Sequence, residues 1–362
     1  MKLSFLPLLF ATVISVTASA QSFRVAQPVG GSQYVVAPAA STVIVAPQFQ
    51  RPSVGAFRVT AVAVDGQLAT LTLAGKTPLD SYGAPLLANQ YQPGAASYYA
   101  LVTAGRWFGL LFTVTGNTAT TLEINIGTQP GVAATSVRSI ELRPYWSLET
   151  LFPTSAAEVS FIPTTDANAV KTRLVLSPLI TSGNEQPQDM GEAFYYSSIA
   201  SGWVTAANPS VLAGKVLVAP GRYLYLQNTN AGSYPLDAVI AGTVLSAPLR
   251  QNLYTNDAST TATYFALARS SDYKLSRIGF TDAIFTPSLS QLPLGRNDLL
   301  LVDNGFGTVG AIYYRFQKKW YLVGSALPVD PVLPAGTSYV VVKKAGSGRP
   351  KVLINLRNHR DY

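Results

Sequence analysis

The sequence predicts an all-β fold: two or three β-sandwich-like or small barrel domains, with the C-terminal half a tandem duplication. Three observations carry that expectation. Short runs rich in Val, Thr, Tyr, Leu and Ile recur between Gly, Pro, Asn and Asp punctuation. The 28 glycines and 24 prolines among 362 residues work against long helices, since both residue types weaken helix interiors. One aromatic-and-glycine module is written twice after residue 170, and such self-similarity signals repeated supersecondary units.

Taken in order, residues 1–20 read as a signal peptide. Lys2 supplies the positive start, Leu3 to Val16 is apolar, and Ala18-Ser19-Ala20 offers a small-residue cleavage site. This places the protein in the periplasm, on the outer surface or in the medium. The apolar stretch is too short to span a bilayer, and no later segment reaches about 18 uninterrupted apolar residues, so no transmembrane helix is expected in the mature chain. With no cysteine present, disulfides and thiolate metal sites are excluded and stability must rest on packing. Only 12% of residues are charged, so the polar surface must be mostly Thr, Ser, Asn and Gln.

Residues 21–153 are expected to form an N-terminal β domain. Its clearest hairpin runs from Ala56 to Gly75, where Phe57-Arg58-Val59-Thr60 and Thr70-Leu71-Thr72-Leu73 alternate around an Asp65-Gly66 turn. A second runs from Trp107 to Ile126 through Gly116-Asn117, with Leu122, Ile124 and Ile126 on one face. A single helical turn is expected at Ser147 to Phe152, capped by Ser147 and ended by Pro153. It marks the boundary with the repeat.

Copy one is assigned to 154–250. It holds Arg173-Leu174-Val175-Leu176, Phe194-Tyr195-Tyr196, Gly202-Trp203-Val204, and Pro220-Gly221-Arg222-Tyr223-Leu224-Tyr225. Residues 251–290 read as connecting strands. Copy two, 291–362, repeats the order with Leu299-Leu300-Leu301-Val302, Ile312-Tyr313-Tyr314, Lys319-Trp320-Tyr321, and Pro334-Ala335-Gly336 before Tyr339-Val340-Val341. A partial echo sits at Tyr98-Tyr99 and Trp107. The ordered set Tyr98-Tyr99, Phe112-Thr113-Val114-Thr115, Arg143-Pro144-Tyr145-Trp146-Ser147-Leu148, Leu151-Phe152-Pro153 and the two Tyr-Tyr…Trp modules resembles a family of secreted, signal-peptide-bearing β-rich proteins of Verrucomicrobia-type bacteria. The resemblance covers most of the mature chain. It implies secretion and the repeat layout, and no ligand, cofactor or catalytic residue.

Most enzyme chemistry is disfavoured by composition. His359 is the one histidine, the fourth residue counted from the end, so a Ser-His-Asp triad or a histidine metal site would have to run through the last residues of the sequence. The densest acids, Glu185, Asp189 and Glu192, lack the alternating oxygen ligands of a calcium loop and read as a solvated hairpin loop. Gly305-Phe306-Gly307-Thr308 precedes no helix, so it lacks the amide end that binds phosphate. Paired carboxylates far apart in the chain are not excluded by spacing. The expectation is a non-enzyme without cofactor or metal.

Two features are left to carry function. Tyr99, Trp107, Tyr196, Trp203, Tyr314 and Trp320 are sugar-stacking candidates, because Tyr and Trp offer large apolar faces with a polar edge. Against this, adjacent tyrosines on a strand point to opposite faces, so core packing is the stronger reading. The second feature is charge. From residue 313 onward, Arg315, Lys318, Lys319, Lys343, Lys344, Arg349, Lys351, Arg357 and Arg360 face only Asp330 and Asp361, while residues 21–312 are balanced. The first seven of these are polyanion-binding candidates.

Such asymmetry attracts anions at long range. The expected partners are anionic envelope polysaccharide, lipid headgroups or an acidic surface protein, with self-association besides. Nucleic acid is not expected for an exported protein. The competing reading is a basic edge that blocks sheet-to-sheet pairing. The favoured function is a non-enzymatic exported structural or adhesive protein of the cell surface. The alternatives are a carbohydrate-binding protein and an outer-membrane β-barrel, the latter weakened by final residues that do not alternate.

Overall fold

The computed structural model describes residues 30–356 apart from 95, 128–135, 154–160, 179, 183–190, 230–235, 246–248, 305–308 and 347–351. The expected signal peptide, Glu185, Asp189 and His359 lie outside the described residues. Almost every element is a β-strand, as the punctuation of the sequence requires.

Residues 55–144 form a closed six-stranded barrel. In chain order its strands are Gly55–Asp65, Leu68–Leu73, Tyr98–Ala104, Leu111–Asn117, Thr121–Asn125 and Ser139–Pro144; around the barrel the order is first, second, fifth, fourth, third, sixth. Alternate residues point inward, and Phe57, Leu71, Val102, Phe112, Ile124 and Ile140 fill the interior. An outer-membrane barrel has at least eight strands in bacterial single-chain proteins and a polar lumen, which this barrel does not match.

Both expected hairpins exist, with shifted turns. Asp65 pairs with Leu68, so Gly66 and Gln67 are the central residues, and Gly66 supplies the positive φ of 58°. In the other hairpin the strand continues through Gly116-Asn117 and turns at 118–120. Asn117 is held in the strand because its side chain donates to Leu87 O at 2.8 Å and accepts the Tyr91 amide at 2.8 Å.

Two larger antiparallel sheets share one topology. The first orders its strands Gly202–Thr205, Ala193–Ser197, Thr172–Leu176, Leu224–Asn228 and Ser41–Val45. The second orders Lys319–Leu322, Val309–Phe316, Leu299–Asp303, Ser338–Lys343 and Thr261–Ala266, with short strands Pro328–Val329 and Ile180–Ser182 added at its two edges. Each sheet is thus the same walk through the chain: a central strand, a hairpin on one side, a returning strand on the other, and an N-terminal strand beyond it.

Smaller pairs repeat as well. Trp146–Ser147 pairs with Leu217–Val218, and Tyr273–Lys274 with Val332–Leu333. A short helical turn follows in each case, Leu148–Leu151 and Leu275–Arg277. The Leu148 amide donates to Val216 O at 3.1 Å and the Leu275 amide to Pro331 O at 3.0 Å. Finally Gly30–Ala37 pairs with Leu236–Thr243, and Leu249–Leu253 with Val352–Leu356.

These pairings redistribute the expected segments. Gly30–Ala37, Ser41–Val45 and the turn at 148–151 pack with the first sheet, so the barrel interrupts the first module between Val45 and Trp146. Thr261–Ala266 and Tyr273–Lys274, read as connectors, are parts of the second module. The ends of the barrel meet: Gly55 pairs with Leu142, and the Val54 amide donates to Leu142 O at 2.9 Å. Buried Arg143 fastens this neck, donating to Arg51 O at 2.9 Å and Thr243 Oγ1 at 2.8 Å and pairing with Glu141 at 2.7 Å.

Strand alternation divides each sheet's residues between two cores. Leu174, Leu176, Leu224 and Leu226 face Trp203 inside the first module. Their neighbours Val175, Tyr223 and Tyr225 face Tyr264, Leu301 and Val340 of the second sheet, so the two sheets lie back to back. The barrel's outer face, through Tyr99 and Leu101, packs into the second module's core against Leu253 and Phe265. Among the described residues no helix is long and apolar enough to cross a membrane.

Candidate functional site

The aromatic candidates are core residues. Trp203 is 2% exposed and meets Phe161 edge-on at 4.8 Å and Phe152 at 6.5 Å. Trp320 is 4% exposed and meets Phe285 at 4.9 Å and Phe280 at 5.8 Å. Each indole is closed between two phenyl rings, which leaves no face for a sugar. Trp107, 6% exposed, packs on Phe112 at 5.2 Å inside the barrel, and Tyr99 and Tyr314 are fully buried. Only Tyr196 is half-exposed, and its ring sits edge-on to Trp203 at 6.0 Å. The expected stacking subsites are corrected accordingly. Trp107 also lies outside the shared topology, so the N-terminal echo is not a third module.

Strand register further shifts the tyrosine match. Tyr196 pairs with Trp203, whereas Arg315 pairs with Trp320. Tyr195 therefore corresponds to Tyr314, and the half-exposed Tyr196 to Arg315. The Arg315 guanidinium takes the place of that ring, lying over Trp320 at 5.7 Å.

The basic candidates separate into three groups. Lys343 is fully buried: its Nζ pairs with buried Asp298 and donates to Ile284 O at 2.6 Å, while the Thr286 amide donates to the same Asp298 oxygen at 2.6 Å. It cannot meet a polyanion, because both faces of its strand are covered. Arg315 is mostly buried, paired with Asp282 at 2.9 Å and donating to Phe280 O. Arg349 and Lys351 lie outside the described residues.

Lys318, Lys319 and Lys344 are exposed. Leu299 pairs with both Tyr314 and Val342, and Phe316 pairs with Lys319. Two residues beyond Val342 the chain reaches Lys344, and three and four residues beyond Tyr314 it reaches the Gln317-Lys318 turn. The three lysines therefore share one end of the second sheet, where Asp257 is the exposed acid in the loop before Thr261–Ala266. Gln317 and Lys318 both adopt left-handed backbone, φ 49° and 64°, the geometry of a two-residue hairpin turn usually filled by Asn-Gly.

A buried polar cluster that sequence reasoning missed links the modules. Tyr223 and Tyr225 of the first donate to one oxygen of Asp303 in the second, at 2.8 and 2.5 Å. Burial, then the nearby carboxylate, raises both phenol pKa values well above their ordinary value. The cluster is sealed between the sheets and serves as a joint. Among the described residues no group of three or more metal-binding side chains exists.

The chain is thus an all-β protein of two same-topology sheet modules stacked back to back, with a six-stranded barrel set into the first. No protein-family profile, curated protein or solved structure matches it.

Proposed function

We propose that this chain is a non-enzymatic exported structural or adhesive protein that holds to an anionic component of the cell envelope through one end of its second sheet. The observation that supports this most is the convergence of Lys318, Lys319 and Lys344 at that end, in a protein whose charges balance over residues 21–312. Lys318 is presented from left-handed backbone that the tight hairpin turn requires and that a non-glycine residue adopts at a cost of roughly 1–2 kcal/mol. The buried indoles argue against the carbohydrate-stacking alternative.

The test is charge reversal at Lys318, Lys319 and Lys344 together, sparing Lys343. The variant should leave the envelope fraction for the medium, and wild-type retention on a polyanion matrix should fall steeply as salt rises. Unchanged envelope association in the triple variant would overturn the proposal.

A further inference from the structure

The loop between Thr286 and Asp298 leads into the second sheet at the same end as the three lysines, and it displays leucine. Leu289 is 82% exposed, Leu292 70% and Leu294 95%. This loop is braced internally. The Leu289 amide donates to Gly295 O at 2.7 Å, the Gly295 amide to Leu292 O at 3.0 Å, and Arg296 donates through Nε and a terminal nitrogen to Gln291 O at 3.2 and 2.9 Å. It is also fixed to the sheet. The Ser288 amide donates to Arg315 O at 2.6 Å and the Arg296 guanidinium lies 4.9 Å from the Tyr314 ring centre, while within the loop Asn297 Nδ2 donates to Pro287 O at 2.7 Å. The leucines are therefore held outward by the folded loop.

The scaffold does not demand them. The corresponding segment of the first module, from Phe161 to Thr172, connects the same elements with Thr165, Asp166, Asn168 and Lys171 exposed and no leucine. Its hairpin tip also lacks lysine, carrying Ser198-Ile199-Ala200-Ser201 where the second module has Gln317-Lys318. Apolar loop and cationic turn occur together, in one module only, on one end of one sheet.

We infer that Leu289, Leu292 and Leu294 enter the interfacial layer of an anionic lipid bilayer while Lys318, Lys319 and Lys344 meet its headgroups. This rests on the anionic-surface reading above and names the surface. An anionic polysaccharide has charge but no apolar layer to receive three leucines. A second copy of the chain would bring a like-charged end against this one, whereas a bilayer complements both the leucines and the lysines.

The experiment uses the purified chain with vesicles of phosphatidylglycerol and phosphatidylcholine, against vesicles of phosphatidylcholine alone and a dextran sulfate matrix. Wild type should bind the anionic vesicles at least about tenfold more tightly than the neutral ones. Leu289→Ser/Leu292→Ser/Leu294→Ser changes only exposed side chains; it should lose roughly tenfold or more of vesicle affinity while keeping dextran sulfate retention. Lys318→Gln/Lys319→Gln/Lys344→Gln should weaken both. Leu294→Trp should shift its fluorescence to the blue on anionic vesicles and be quenched by brominated acyl chains. Wild-type vesicle affinity in the serine variant, or no blue shift, overturns the lipid inference and leaves the anionic-surface reading standing if dextran sulfate is still bound through the lysines. Loss of a dimer in the serine variant, with vesicle affinity unchanged, overturns it in favour of self-docking. Failure to bind either probe overturns both.

Discussion

At the residue scale the buried ion pair is the sharpest case. Lys343 and Asp298 are both inaccessible, and removing one charge leaves the other unpaired in an apolar interior. Lys343→Met should lower stability by about 3–5 kcal/mol, whereas Lys343→Met/Asp298→Leu should recover most of it, since replacing a whole buried pair is often neutral or better. Urea denaturation of the two variants decides this; equal loss in both would show that the pair has no coupled role. This pairing was not legible in the sequence. Lys343-Lys344 looks like a solvated run, and the partner carboxylate lies 45 residues earlier. The tryptophans were legible as repeated positions but not as buried ones, because an indole on a ligand surface and one between two phenyl rings obey the same strand period. Exposed leucines left no periodic signal at all: Leu289, Leu292 and Leu294 follow proline-and-serine punctuation, and only the closed hydrogen bonding of their loop shows that they face outward.

At the element scale the hairpin turn of Gln317 and Lys318 sets two non-glycine residues in left-handed backbone. Gln317→Asn/Lys318→Gly places the residues favoured in left-handed backbone at both central positions. The variant should gain about 1–2 kcal/mol in thermal or urea unfolding and lose part of its polyanion retention. A stability unchanged from wild type would mean that the turn carries no strain. Hairpins were the readable elements, since turn residues and alternation are local: the barrel strands around Gly66 and the return strand with Leu122 and Ile124 stand where the sequence places them. Long-range pairs were not. Ser41–Val45 pairs with Leu224–Asn228 across the whole inserted barrel, and no local pattern encodes such a partner. The tyrosine pairs mislead by one position for a related reason: the first module turns through four residues between Ser197 and Gly202, the second through two between Phe316 and Lys319.

At the scale of the whole molecule, buried tyrosines tie all three bodies together and set an alkaline limit. Burial pushes Tyr91 in the barrel and Tyr145 at its neck up to about 12, and raises Tyr99, Tyr223, Tyr225 and Tyr339 further above their ordinary value. Each phenol ionises near pH 10 when unfolded and higher when folded, so the associated stability is complete below about pH 10 and is lost as pH rises past it. The melting temperature should hold between pH 7 and 9 and fall steeply above 10, with phenolate absorbance at these sites appearing only on unfolding. A melting temperature that stays level to pH 11 would refute this. One consequence of the neck at Val54 and Leu142 reaches beyond stability. To the scaffold the barrel is a single loop whose two feet stand one strand spacing apart, roughly 5 Å. Any foreign domain with termini that close, and an apolar flank to replace Tyr99 and Leu101 against the second module, meets the same geometric condition. The position is a ready port for grafted cargo, on a scaffold whose basic, leucine-bearing end takes no part in holding it.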